Sequence, residues 1–182
     1  MKGNAELLIT DLISRTETII AQAEKWKQLD SETLNQKPSS DSWSALECLE
    51  HLNRYGDFYL PEIDNQLSKA EKGKPKTIFK SSWLGEYFAK SMLPKDKLNK
   101  MNTFKNMNPS LSGVRPDVLD DFIQQQKRMI RLLERARDIN IQKTKTAISI
   151  SKWIRLRLGD TFRVVIYHNE RHMVQATRAL RT

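Results

Sequence analysis

Histidine and cysteine are the scarcest reactive residues in this chain of 182. There are three histidines, His51, His168 and His172, and one cysteine, Cys48. A lone cysteine excludes an intrachain disulfide and any disulfide-stapled fold. Glycine and proline number only six each, and alternating strand-like runs are nearly absent. No stretch of eighteen apolar residues occurs, so no membrane span is expected. The opening Met1-Lys2-Gly3-Asn4-Ala5-Glu6 runs into an amphipathic pattern without the apolar block and cleavage site of a signal peptide. With the single cysteine, these absences point to a cytoplasmic protein. The length suits one domain over 1–182 with a proper core.

Acidic residues are outnumbered, 22 to 31, giving a formal net charge of +9. A basic chain raises nucleic acid as a partner. The lysines and arginines are scattered, however, and many share a helix with acids. The densest group is Lys143, Lys145, Lys152, Arg155, Arg157 and Arg163, with no RNA-binding aromatic motif or zinc-finger spacing beside it. A solvated surface is expected there, with attraction of an anionic small molecule as the next reading, and no nucleic-acid or membrane partner.

Helical periodicity dominates what remains. Leu8, Leu12, Ile19, Ala23 and Trp26 mark an amphipathic helix over residues 5–29. Ser44-Ala45-Leu46-Glu47 is a capping box that starts a second helix, with Trp43 placed to staple onto Cys48; this helix fades near Lys72-Gly73-Lys74-Pro75, and Gly56 and Pro61 could bend it. Pro116 opens a third helix to about Asp138, with Leu119, Phe122, Ile123, Met129, Ile130 and Leu133 as its apolar stripe. Gly159-Asp160 opens a fourth, to about Leu180. Four long helices imply an all-α four-helix bundle. Between the second and third, residues 73–115 read as a long irregular connection, with a short helix near 82–88. Residues 146–151 could be extended.

The histidines carry the chemistry. His168 and His172, at i and i+4, share one helix face. Two neutral imidazoles so placed can close on one divalent ion, and His51 could complete a three-nitrogen set. Three protein ligands with an open position describe a catalytic site rather than a closed structural one. Such an ion lowers the pKa of a bound water and strips the proton from a bound thiol, so hydrolysis and thiol transfer are both open. The pattern is not a zincin, because Asn169 rather than glutamate follows His168. Glu170 faces away and suits a surface cation. Gln175 could hydrogen-bond a water or a ring nitrogen. Tyr55 and Cys48 sit one turn from His51 and read as core, with a phenolic donor and a fourth, thiolate ligand as their alternatives.

Lys37-Pro38, Trp43-Ser44 and Glu50-His51-Leu52 are similar to the first motif of the DinB-like, or YfiT-like, superfamily of metalloenzymes. Leu158-Gly159-Asp160, His168, Glu170-Arg171-His172 and Gln175 resemble its second, of the form HxxRHxxQ. The resemblance implies an up-down-down-up bundle. It also implies a zinc or nickel ion on three histidines, mapping onto His51, His168 and His172. Relatives include bacillithiol S-transferases and mycothiol-dependent isomerases, so a small-molecule substrate, a low-molecular-weight thiol, is implied. So is a homodimer. A metal-dependent hydrolase and a non-catalytic metal- or ligand-binding module stand as the alternatives.

Overall fold

The computed structural model describes residues 1–94 and 102–181, apart from the side chain of Lys152. Four long helices dominate: α1 (Ala5–Trp26), α3 (Ala45–Lys69), α6 (Val118–Ala136) and α7 (Leu158–Ala179). Three shorter ones, α2 (Ser31–Asn35), α4 (Trp83–Met92) and α5 (Pro109–Ser112), lie in the connections. Two small antiparallel pairs complete the fold: β1 (Lys2–Asn4) with β2 (Ile78–Lys80), and β3 (Lys145–Ile148) with β4 (Ser151–Arg157).

Around the bundle the neighbours run α1, α6, α3, α7 and back to α1. Side-chain contacts fix the directions. Glu6 near the start of α1 pairs with Arg137 just past the end of α6, so these two are antiparallel. Arg15 meets Glu170 at 2.9 Å and Gln22 meets Thr177 at 2.6 Å, so α1 and α7 run together. Asn53 donates to the carbonyl of Val118 at 2.8 Å and Arg128 reaches Asp64 at 3.0 Å, so α3 and α6 run together in the opposite sense.

Several boundaries differ from the sequence reading. The third long helix begins at Val118, with Pro116 in the turn before it. The first ends at Trp26, and the polar stretch after it contains α2. The segment 73–115 is less irregular than its composition implied, because β2, α4, a 3-10 turn at Lys105–Met107 and α5 occupy much of it; residues 95–101 lie outside the described part. The stretch 146–151, expected to be extended, covers most of β3, the turn at 149–150 and the first residue of β4, so a hairpin stands where one extended run is expected. Arg163 leaves the anticipated basic cluster altogether: it is buried and ion-paired with Glu86 at 2.8 Å.

The apolar core falls into two clusters. One gathers Leu8, Leu12, Leu60, Ile63, Leu133, Phe162 and Ile166. The other gathers Ile19, Trp26, Leu49, Leu52, Phe122 and Met173. At the middle of the bundle lie buried polar groups. Thr16 donates to the Leu12 carbonyl at 2.8 Å, Asn169 donates to Gln126 at 2.8 Å, and the histidines sit at the same level of α3 and α7. Each satisfied pair removes the cost of an orphaned buried polar atom.

α4 is held against the start of α7 by Asp160. This buried carboxylate accepts from the hydroxyls of Ser81 and Ser82 and from the Ser82 N–H at 2.9 Å. Gly85 makes the approach possible, since a Cβ there would lie 2.2 Å from the Asp160 carboxyl carbon. Gly159 does the same for Phe79, whose ring would meet a Cβ at 2.6 Å.

Candidate metal centre

The capping box forms as its sequence specifies. The Ser44 hydroxyl accepts from the Glu47 N–H at 3.2 Å, and the Glu47 carboxylate accepts from the Ser44 N–H at 2.9 Å. Glu47 also takes Lys37 at 2.8 Å and the Ser110 hydroxyl at 3.2 Å. The start of α3 is therefore fixed, and His51, two turns in, is buried on a rigid element.

α3 and α7 bring all three imidazoles together. The Nε2 atoms of His51 and His168 are 3.3 Å apart. Ring centroids are separated by 5.1 Å (His51–His168), 4.6 Å (His51–His172) and 4.6 Å (His168–His172). One ligand atom from each lies within 4.8 Å of the other two, a set that could hold a metal ion. Nitrogens about 2.0–2.1 Å from a tetrahedral ion stand roughly 3.3 Å from each other, so the His51–His168 spacing already fits.

Two backbone and side-chain acceptors orient the rings. His51 Nδ1 lies 2.7 Å from the carbonyl of Met107, and His172 Nδ1 lies 3.0 Å from Gln175 Oε1. A carbonyl oxygen only accepts, so each Nδ1 carries the proton and each Nε2 presents its lone pair to the cluster. Burial keeps the rings neutral: it lowers His51 to about 4, despite the opposing hydrogen bond to Met107, with the Arg54 charge assisting. His168 and His172 are driven well below the usual imidazole value, first by burial and then by neighbouring imidazoles and Arg171. Neutral, convergent, pre-oriented imidazoles are the donor set a divalent transition metal requires.

The Met107 carbonyl was invisible in the sequence, because backbone acceptors carry no residue signature. Its support was partly visible: Glu50 and Arg54 are spaced i, i+4 and pair at 2.8 Å. Arg54 then donates to the carbonyls of Asn108 at 3.1 Å and Gly113 at 2.9 Å. Arg115 also binds Glu50 at 2.9 Å. These contacts clamp the loop carrying Met107 onto α3.

The other candidates resolve individually. Trp43 does not simply staple onto Cys48. It is half-buried beside the same apolar cluster, but its ring rests against His51 (4.8 Å) and stacks on His172 (5.8 Å, 29°). Tyr55 packs edge-on to His51 and His168, and burial raises its phenol to about 12. Cys48 is fully buried in the apolar cluster, and burial pushes its thiol up. Glu170 pairs with Arg15, as a surface-cation role requires. Gln175 serves the His172 ring nitrogen.

The imidazoles open onto a cavity of about 800 Å³. Among its described lining residues the sole carboxylate is Asp41, exposed at the rim. Arg171 and Arg178 contribute positive charge to its wall.

Residues 15–176 match the DinB superfamily. The chain belongs to that superfamily. The match spans α3 and α7 and so includes all three imidazoles of this DinB-superfamily chain. Comparisons with curated proteins and with solved structures gave no match. No helix among the described residues is long and apolar enough to cross a membrane.

Proposed function

We propose that this protein is a divalent-metal-dependent enzyme in which His51, His168 and His172 hold the ion, zinc or nickel. The reaction that fits best is S-transfer from a low-molecular-weight thiol. The observation that carries the metal reading is the convergence of three neutral imidazoles, two of them oriented by hydrogen bonds at Nδ1, at the floor of a large cavity. An ion there supplies a Lewis acid, with the capacity to lower the pKa of a water or thiol bound to it.

The choice of thiol over water rests on the lining. Glu47 is engaged by the cap, Glu50 by Arg54 and Arg115, and Glu170 by Arg15. No interior carboxylate is left in the described lining to take a proton from water. A thiol, with an ordinary pKa near ~8.5, needs far less help to react as an anion. Trp43 and Tyr55 shield the imidazoles from bulk solvent and fix their ring planes. A hydrolase remains the second reading, favoured by the same ion-binding floor, and a non-catalytic metal-binding module is the outcome if no turnover is found. We read the chain as one domain acting as a homodimer, and place it in the cytoplasm in keeping with its unpaired, buried Cys48.

Elemental analysis of protein purified without a histidine tag tests the reading directly. One ion per chain is expected, and His168→Ala or His172→Ala should abolish it while circular dichroism stays helical. Unchanged metal content in either variant would remove that residue from the ligand set. Conjugation of a panel of small thiols to an electrophile, set against ester hydrolysis, then separates transferase from hydrolase.

A further inference from the structure

The cavity is much longer than the imidazole cluster needs. On α7 it is lined from Val164 to Arg178, fourteen residue steps, or about 21 Å of helix at ~1.5 Å per residue. His168 and His172 sit near its middle, so the trough extends in both directions from them. Its two ends differ in chemistry. Beyond His172 the lining is polar: Ser42, Asp41, Gln175 and Arg178. Beyond His168 it is mainly apolar: Tyr59, Phe88, Ile148, Ile150, Leu156 and Val164, with the hydroxyls of Ser91 and Ser149 among them.

The apolar end is built from three separate elements, α3, α4 and the β3–β4 hairpin, converging on α7. Tyr55 and Tyr59 lie nearly parallel, at 12° and 6.4 Å between centroids, and form a continuous aromatic wall leading away from His51. The Tyr59 hydroxyl is occupied at the hairpin turn, 3.3 Å from both the hydroxyl and the N–H of Ser149, which ties this buried ring to the hairpin. Ile150, 46 % exposed, caps this end from the turn. Among the described residues no charged side chain lines it. A small polar thiol would leave this lobe unfilled, and filling it with water would cost the apolar burial that its walls offer.

We infer that the apolar lobe is a subsite for a flat, uncharged aromatic ligand, the electrophilic co-substrate of the transfer reaction, held edge-on to the imidazole floor. This assignment of the substrate class rests on the S-transferase reading above, whereas the binding site itself does not. In the corresponding reaction the thiol sulphur bonds to the electrophilic carbon, the leaving group departs with its electron pair, and the thiol proton passes to solvent.

The subsite is tested by calorimetric titration of 2-naphthol into the full chain, metal-free and metal-loaded. One molecule per chain is expected to bind in both forms. Ile150→Glu places a carboxylate at an already exposed position of the lobe and should weaken binding by about tenfold or more. Phe88→Ser should weaken it too. Trp153→Ser, on the outer face of the same hairpin and 95 % exposed, should leave it unchanged. Absence of saturable binding, or binding equally insensitive to Ile150→Glu and Phe88→Ser, overturns the subsite. Sensitivity to Trp153→Ser alone overturns it as well, by placing the ligand on the hairpin surface. Naphthol binding without any thiol conjugation keeps the subsite and removes the transferase reading. Conjugation that proceeds equally well with hydrophilic and aromatic electrophiles, with no naphthol bound, does the reverse.

Discussion

Each of the three histidines is costly to bury and is kept neutral by that burial. The consequence is a pH dependence whose sign follows from the direction of the shift. His51 falls to about 4 from an ordinary 6.5. In the window between those values the unfolded chain takes up a proton that the folded chain refuses. Its contribution is therefore intact above pH 6.5 and is lost as the pH falls toward 4, by about 3 kcal/mol for His51 alone. His168 and His172 shift in the same direction and add to the slope. Urea midpoints of metal-free protein at pH 7, 5.5 and 4.5 should fall steeply, and a flat profile would mean the rings are solvated. Which residues would do this was readable at the start, because i, i+4 spacing and the apolar stripes of the two helices placed all three on inward faces. Which nitrogen each would present was not, since that depends on a carbonyl from another part of the chain.

At the scale of elements, the site depends on what is clamped to α3 and α7. Arg54 holds the loop that offers Met107 to His51. Arg54→Ala should leave helical content unchanged and lower metal affinity by about 10–100-fold, as loss of a supporting hydrogen bond does at such centres; competition with a chromogenic chelator measures it. Gly85 lets α4 reach Asp160. Gly85→Ala should destabilise by about 1–3 kcal/mol through overpacking, and an unchanged thermal midpoint would show that α4 is free to slide. Long elements were legible because propensity, capping and stripe agreed: Ser44 and Glu47 announced α3 to the residue. Of the short ones in 73–115, α4 was legible as the helix near 82–88, but β2 and α5 were not, because α5 has four residues and β2 three, too few for a period to emerge, and the order there comes from contacts such as Ser81 and Ser82 with Asp160. Pro116 misled by two residues because a proline is equally at home in the turn before a helix.

For the whole molecule, the polar level across the bundle divides the apolar core into two clusters that share their helices. A ligand bound there ties α3 to α7 at the level where apolar packing is weakest. Saturation at about a hundredfold excess over Kd should add about 2.7 kcal/mol, or roughly 5–10 °C in Tm for a chain of this size. Differential scanning fluorimetry with zinc and with nickel checks this, and His168→Ala should show no shift with either. Family membership and the helical class could be inferred from two motifs at opposite ends of the match. The length of the trough could not, because its walls come in part from a hairpin whose second strand carries Trp153 and Arg155 outward and Leu156 inward.

Three uncharged imidazoles also set an electrostatic condition. They neutralise none of the double charge of an ion they hold, and among the described residues no carboxylate of the interior lining does so instead. Electroneutrality must then come from whatever enters from outside, so small monovalent anions such as azide or cyanate should compete with substrate at this centre, as they would not at one built with a glutamate.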